Sequence, residues 1–427
     1  MNRHIISRWR RVAAWSRIGL VPAILAGSAA SAAPADDSPP DPPFVVLKVD
    51  GSSVTGRLRA IGPDGGVSLA VDDRDAPELV PAGAFVKLSR AGVSPSLATP
   101  MGSGSARGVV LFPGGDRIAR AEIGVAGETA VEVRSPTLGK LSIPTDRLLG
   151  LVFTTPLDSE AARLLVASVR DDPRSGELLW LGNGDRLAGG LLGLDARSVK
   201  FRPTTAAGPA DYDRSGVVAL GFDPSLVDYP KPDRPFLDLS LADGTRLGVV
   251  GARIEAGQVR GTSRFGASIA LPVGDLASAR ARGGPAIYLS ERTPAVEKTV
   301  GYIAAGRPSR VGSAIDGGPL RLGGRSYDDG LGTQSRSYLA YKLDPGVKRF
   351  QALVGLDDRA GPLGSVVFRV LVNGQEKYAS PPMSSRDAPR AIDVDLAGAR
   401  NLVLVTDFGE RGGVRDHADW VEARLIR

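Results

Sequence analysis

The chain contains no cysteine. That excludes disulfide staples and thiolate metal sites, so the fold must be held by apolar burial in domains large enough to supply it. Histidine is almost as scarce: of two in 427 residues, His4 lies near the N-terminus and His417 near the C-terminus. Ser-His-Asp or Cys-His catalysis would have to run through His417, and no Gly-x-Ser-x-Gly elbow precedes it. Long helical periodicities are nearly absent, whereas 54 glycines and 32 prolines make up about a fifth of the chain. Such a composition points to many short strands joined by turns. Beyond the first residues no segment concentrates Lys and Arg with interleaved aromatics, which removes the electrostatic footprint of nucleic-acid binding.

Residues 1–32 read as a signal peptide. Arg3, Arg8, Arg10, Arg11 and Arg17 form a basic start without acids, Ile18 to Ala30 is an apolar run too short to span a bilayer, and Ala30-Ser31-Ala32 is a small-residue cleavage site. The expectation is an exported protein, secreted or periplasmic, with no membrane span once the leader is removed; an uncleaved anchor is the alternative. Losing those five arginines takes the formal charge from +6 to +1, so the basic character belongs to the leader. Residues 33–43, rich in proline, read as an extended linker.

From Phe44 onward the sequence repeats itself four times, over residues 44–90, 107–153, 176–222 and 235–280. Each copy opens with an alternating apolar strand and makes a tight turn at Asp50-Gly51, Gly114-Gly115, Asn183-Gly184 or Asp243-Gly244. Three then reach a proline-marked strand, at Val80-Pro81, Ile143-Pro144 and Leu271-Pro272, and the third has a degenerate return at Tyr212 to Leu220. Asp-Gly or Asn-Gly between alternating apolar runs is a strong hairpin signal, because both turn residues accept positive φ. The pattern is similar to the Sm-like or SH3-like small barrels; a continuous β-array built from pairs of units fits it equally. Residues 157–170 are the exception, with Asp158 or Ser159 as N-cap and Ala162, Leu165, Val166 and Val169 at helical spacing, a short connecting helix.

After Gly283 the strands lengthen. Tyr338 to Leu343, Phe350 to Leu356, Val366 to Val372 and Leu402 to Thr406 alternate with period two, and Asn373-Gly374 marks another hairpin; long loops between such strands suit a jelly-roll β-sandwich. The whole chain is therefore expected to be all-β. Residues 287–427 also carry, in order, Gly317-Gly318-Pro319-Leu320, Gly324-Arg325-Ser326-Tyr327, Gly330-Leu331-Gly332, Phe350 with Val354-Gly355-Leu356-Asp357, Ser365 to Val370, and the closing Asp416 to Leu425. In these residues the segment resembles the NPCBM family of carbohydrate-binding modules. The resemblance implies a galactose-binding-like sandwich that binds a polysaccharide or cell-envelope glycan and takes no part in catalysis. The arrangement of repeats before such a module looks like planctomycete surface or periplasmic proteins. Where the family commonly has a histidine after the Gly-Leu-Gly turn, this chain has Gln334, and Asn373 replaces the usual hairpin aspartate.

Sugar sites need fixed polar groups for hydroxyls and usually an aromatic face for the ring. The candidate ligand-binding residues are Tyr327, Gln334, Asp357, Asp416, His417, Asp419 and Trp420, with Tyr327 or Trp420 stacking. A tryptophan so close to a last strand also reads as a core plug, and the carboxylates also read as loop fasteners that pair with arginines such as Arg415 or Arg424 and accept backbone N–H bonds. No cofactor is demanded; if a metal is held, an oxygen-rich loop with one histidine suits Ca2+ better than a transition metal. Two carboxylates suffice for glycoside hydrolysis, but the 47 acids lie mostly in turns and single out no pair. The alternatives to glycan binding are a structural or protein-interaction component of the envelope, with the repeats as its contact surface, and a glycan-active enzyme.

Overall fold

The computed structural model describes residues 43–427 apart from residues 63, 73, 94–107, 128, 154–158 and 303–305. The leader, nearly all of the linker and Asp158 lie outside the described residues. Among the described residues no helix is long and apolar enough to cross a membrane.

Each repeat is a five-stranded antiparallel meander in which the last strand returns to pair with the first. The first strands are Phe44–Lys48, Gly108–Leu111, Glu177–Leu181 and Phe236–Leu241, and the last are Phe85–Arg90, Gly150–Val152, Val217–Gly221 and Leu276–Arg282. One turn of 3-10 helix precedes the last strand in repeats 2, 3 and 4, at Thr145–Arg147, Arg214–Gly216 and Val273–Asp275. This closure fits the small-barrel alternative, and the pairing of the units described below fits the other, an array built from pairs. In the third repeat, which lacks the proline, the Asp213 carboxylate accepts the Ser215 N–H at 2.8 Å and holds the same turn.

The backbone aligns the four copies residue by residue. The equivalent turn bonds run from Lys48 N to Ser52 O, Phe112 N to Asp116 O, Leu181 N to Asp185 O and Leu241 N to Thr245 O. The barrels do not stand alone. The last strands of repeats 2 and 3 pair antiparallel through Leu151 and Leu220, and those of repeats 4 and 1 pair identically through Ala279 and Leu88. Both junctions therefore have a local two-fold relation. One apolar core runs through all four copies, from Phe44 and Val46 through Val110, Leu179 and Leu239 to Leu276. The helix Ser159–Asp171 lies on the 2·3 pair, with Val166 and Val169 packed on Val109, Leu111, Val152, Trp180 and Ala219.

The C-terminal sandwich has two antiparallel sheets. One runs Arg310–Val311, Gly330–Gln334, His417–Ile426, Arg349–Leu356 and Arg390–Asp395, with Ala286–Tyr288 also on His417–Ile426; the other runs Val296–Thr299, Ser337–Lys342, Asn401–Phe408, Val366–Val372 and Gln375–Ala379. Inward side chains of both, among them Leu339, Phe350, Val354, Phe368, Leu404 and Leu425, form a second core. Asn373 and Gly374, at φ 50° and 82°, make the expected hairpin turn.

The sandwich is seated on the 1·4 pair through an ion cluster. Arg246 donates to Asp238 at 2.9 Å, and Arg282 bridges Asp238 at 3.0 Å to Asp329 of the sandwich at 2.7 Å. Arg280 reaches Asp329 at 3.1 Å and Lys87 pairs with Glu422, and from repeat 2 Arg117 also reaches Asp328 at 3.0 Å. Asp238, Asp329, Arg246, Arg280 and Arg282 are all buried. Burial pushes these carboxyls up, but the surrounding arginines outweigh it: Asp238 and Asp329 lie below the ordinary carboxylate range and Asp328 falls to about 2. Tyr288, buried beneath the Arg282 guanidinium at 4.4 Å, packs with Ala286 and Ile426 on Leu47, Val49 and Val86.

Candidate functional site

The seven candidate residues do not form one site. Trp420 is 0% exposed; alternation along His417–Ile426 turns it inward with Ala418. Its ring meets Phe368 edge-on at 5.2 Å and its indole N–H donates to Thr406 Oγ1 at 3.0 Å. It is the plug of the core, so the expectation that it stacks on a sugar is corrected: no ligand reaches it.

Three carboxylates are buried as well. Asp419, on the outer face of its strand, accepts the Arg321 N–H at 3.2 Å, as does Asp357, which also takes the Arg359 N–H at 2.9 Å. Neighbouring Asp358 accepts Gly323 N and Gly324 N at 2.9 Å each. Together they fasten the hairpin of Leu320–Leu322 and Arg325–Tyr327 onto the sheet. A Cβ on Gly318 would lie 1.7 Å from Arg359 Nη1, so a larger residue there would displace that guanidinium from Asp357. Burial and the adjacent Asp357 push Asp419 well above its ordinary carboxylate value. Asp416 accepts Ser365 N at 2.8 Å and the Ser335 hydroxyl, joining two loops, and burial raises its carboxyl too. As direct sugar contacts Asp357, Asp416 and Asp419 are corrected to fasteners. The loop-fastener alternative describes them better: the backbone N–H bonds it expected are present, and the pairing arginine is Arg359 rather than Arg415 or Arg424. Tyr327 is half-buried against Leu320, Leu322 and Val421, on the hairpin.

Gln334 and His417 remain, and they belong together. They are cross-strand partners on the outer face at the loop end of the sandwich, both half-buried. Neither side chain has a hydrogen-bond partner among the described residues. Burial lowers the imidazole of His417, which is neutral at pH 7, and Asp316, Arg307, Asp357 and Arg415 all bear on it. Gln334 Nε2 sits 3.2 Å from where a Cβ on Gly306 would be, under the loop that follows Val296–Thr299.

That loop supplies an aromatic that sequence reasoning missed. Tyr302 is 65% exposed, its ring edge-on to Phe408 at 5.3 Å. It rests over Gly412 and Gly413; Gly412 has φ +63°, and a Cβ there would be 3.1 Å from the ring. Arg336 lies 5.0 Å from the Phe408 ring centre and pairs with Asp407 at 2.5 Å. The only signal for this seat was the Gly412-Gly413 pair, distant in sequence. The loop end thus carries an exposed ring and two polar side chains without a hydrogen-bond partner among the described residues, the kinds of group that hold a sugar face and its hydroxyls. Among the described residues no group of three or more His, Asp or Glu is placed to hold a metal ion.

Residues 286–426 match the NPCBM/NEW2 domain. The sandwich is therefore a module of that carbohydrate-binding family and not itself a catalytic domain. Over 111 residues, 26% of the chain, it is 34% identical to a Renibacterium salmoninarum protein named "Putative endo-alpha-N-acetylgalactosaminidase", of which it covers 7%. Over 118 residues, 27% of the chain, it is 31% identical to alpha-1,3-galactosidase B of Akkermansia muciniphila, covering 15% of that protein. Among solved structures, CBM51 from Clostridium perfringens GH95, in complex with methyl-galactose, is 27% identical and matches 33% of this chain and 99% of its own, with a TM-score of 0.31. The chain spans only a small part of the curated relatives it matches.

Proposed function

We propose that the chain is an exported, non-catalytic glycan-binding protein whose sandwich holds a polysaccharide at its loop end. Tyr302 is the stacking face, and Gln334 and His417 meet the hydroxyls. The observation that carries this reading is the exposed Tyr302 seated on Phe408 and Gly412 at the same loop end as Gln334 and His417, whose side chains have no hydrogen-bond partner among the described residues, within a segment that matches a carbohydrate-binding family. The barrel array fixes the orientation of that end through the buried ion cluster. Retardation of the full chain in polysaccharide-containing native gels tests it. Tyr302→Ala should weaken retardation about tenfold while leaving the unfolding midpoint within error, because the ring is exposed. Equal retardation of variant and wild type would sink the assignment.

A second reading, an envelope structural component without a sugar site, is favoured by the complete burial of Trp420 and the burial of Asp357, Asp416 and Asp419. It predicts no retardation by any polysaccharide.

A further inference from the structure

The loops that surround Tyr302 spend their acids and keep their arginines. Asp357, Asp358, Asp416 and Asp419 are committed to backbone N–H groups, and Asp407 is shared by Arg336 at 2.5 Å and Arg369 at 3.2 Å. By contrast Arg307, Arg386, Arg411 and Arg415 are exposed, and none has a carboxylate partner among the described residues. They share one rim. Arg411 donates to Pro362 O at 2.7 Å, and Arg415 Nη1 lies 4.0 Å from the Cβ position of Gly361. Ser385, next to Arg386, donates to Gly361 O at 2.8 Å, and Arg307 and Arg415 both bear on His417. Tyr302 rests on the glycines between Arg411 and Arg415. The exposed acids nearby are Asp316, Glu410 and Asp387; Asp316 pairs with Arg359 at 3.0 Å, and Asp387 is engaged by Ser384 N at 2.7 Å and Ser384 Oγ at 2.8 Å.

We propose that the ligand of this end is an acidic polysaccharide, one whose sugars carry carboxylate or sulfate groups; the proposal rests on the glycan reading above and narrows its class. An aromatic face takes the apolar side of a sugar ring of any charge. Guanidinium forks without carboxylate partners add two-point recognition of carboxylate or sulfate, which neutral sugars cannot exploit. Exposed cations left unpaired also repel one another, and a polyanion laid along the rim relieves that repulsion.

The experiment measures binding of the full chain to polygalacturonate, dextran sulfate, neutral dextran and a neutral galactan. The acidic polymers should bind at least about tenfold more tightly, and raising NaCl from about 50 mM to about 0.5 M should cost about tenfold for these alone. Arg411→Ala with Arg415→Ala should lose about tenfold toward the acidic polymers, whereas Arg411→Lys with Arg415→Lys keeps the salt dependence but loses the fork. Comparing polygalacturonate with dextran sulfate tells carboxylate from sulfate. Neutral galactan bound as tightly as the acidic polymers, without salt dependence, overturns this inference and leaves the glycan reading standing. Failure to bind any polymer overturns both. Equal binding to polyglutamate that ignores Tyr302→Ala is unspecific attraction and overturns it too. A urea midpoint for each variant separates lost binding from lost folding.

Discussion

Where repeats 2 and 3 carry Val109, Leu111, Leu178 and Trp180 on the outer faces of their first strands, repeats 1 and 4 carry Val45, Leu47, Asp238 and Ser240. The last strands diverge in the same way, with Gly150 and Ala219 in one pair against Lys87 and Ser278 in the other. The two pairs share barrel, junction and local two-fold axis, so the difference lies wholly in side chains that do not enter the common core. An apolar outer face is closed by the helix Ser159–Asp171. A face with Asp238, Arg280 and Arg282 is closed by the sandwich, whose Asp329 answers those arginines while its Asp328 pairs with Arg117 of repeat 2. Such a charged face cannot be covered by the helix without stranding its ions, and the sandwich cannot sit on the apolar pair without stranding its aspartates. The array thus holds one orientation of its binding module.

The largest effect expected from breaking this contrast is at Asp329. Asp329→Ala leaves Arg280 and Arg282 short of a buried counter-charge and should cost about 3–5 kcal/mol, read from urea unfolding followed by sandwich fluorescence at Trp420. A loss under about 1 kcal/mol would mean that water reaches the cluster. Acid is the next test. Asp328 is held at about 2 in the fold against about 3.9 unfolded. Its stabilising contribution is therefore complete above about pH 4 and lost as pH falls through 2, about 2 kcal/mol for this group alone. Hydrogen exchange should then open Ala286–Tyr288 and Leu276–Arg282 before the helix, whose apolar contacts do not titrate. Simultaneous opening of both would contradict the distinction.

The barrels were legible because their determinants are local: a turn glycine, a proline some way on, alternation between. The sandwich was legible through the ordered residues from Gly317 to Leu425. What escaped is long-range. Asp238 and Ser240 alternate with leucines as solvent-facing residues of a half-buried strand would, and only the placement of the sandwich shows that their face is covered. The pairing of repeats was undetermined for the same reason, since short apolar last strands such as Gly150–Val152 do not specify which edge they meet. At the loop end, rarity drew attention to His417 and Trp420. Strand alternation decided their fates, one outward and half-buried, the other inward and sealed. Tyr302 sits where no periodicity exists, and its role follows from glycines far along the chain.

The finest test compares one position in both pairs. In the 2·3 pair Gly150 lets the helix descend, for a Cβ there would stand 2.5 Å from Val169 Cγ1; the equivalent residue in repeat 1 is Lys87, which reaches up to Glu422 of the sandwich. Val169 is 0% exposed, so Val169→Ala removes two buried methyl groups and should cost about 1.5 kcal/mol, seen as faster exchange in the helix with the sandwich contact unchanged. Gly150→Ala alone overpacks the same space. In the double variant the new methyl occupies part of the volume Val169 vacates, so the two costs should fall short of their sum by about 1 kcal/mol. The relief stays partial because the carbonyl of Leu220, 2.9 Å from the same Cβ, cannot retreat from the strand junction. Strict additivity would show that the helix does not rest on Gly150, and that something other than outer-face chemistry selects what covers each pair.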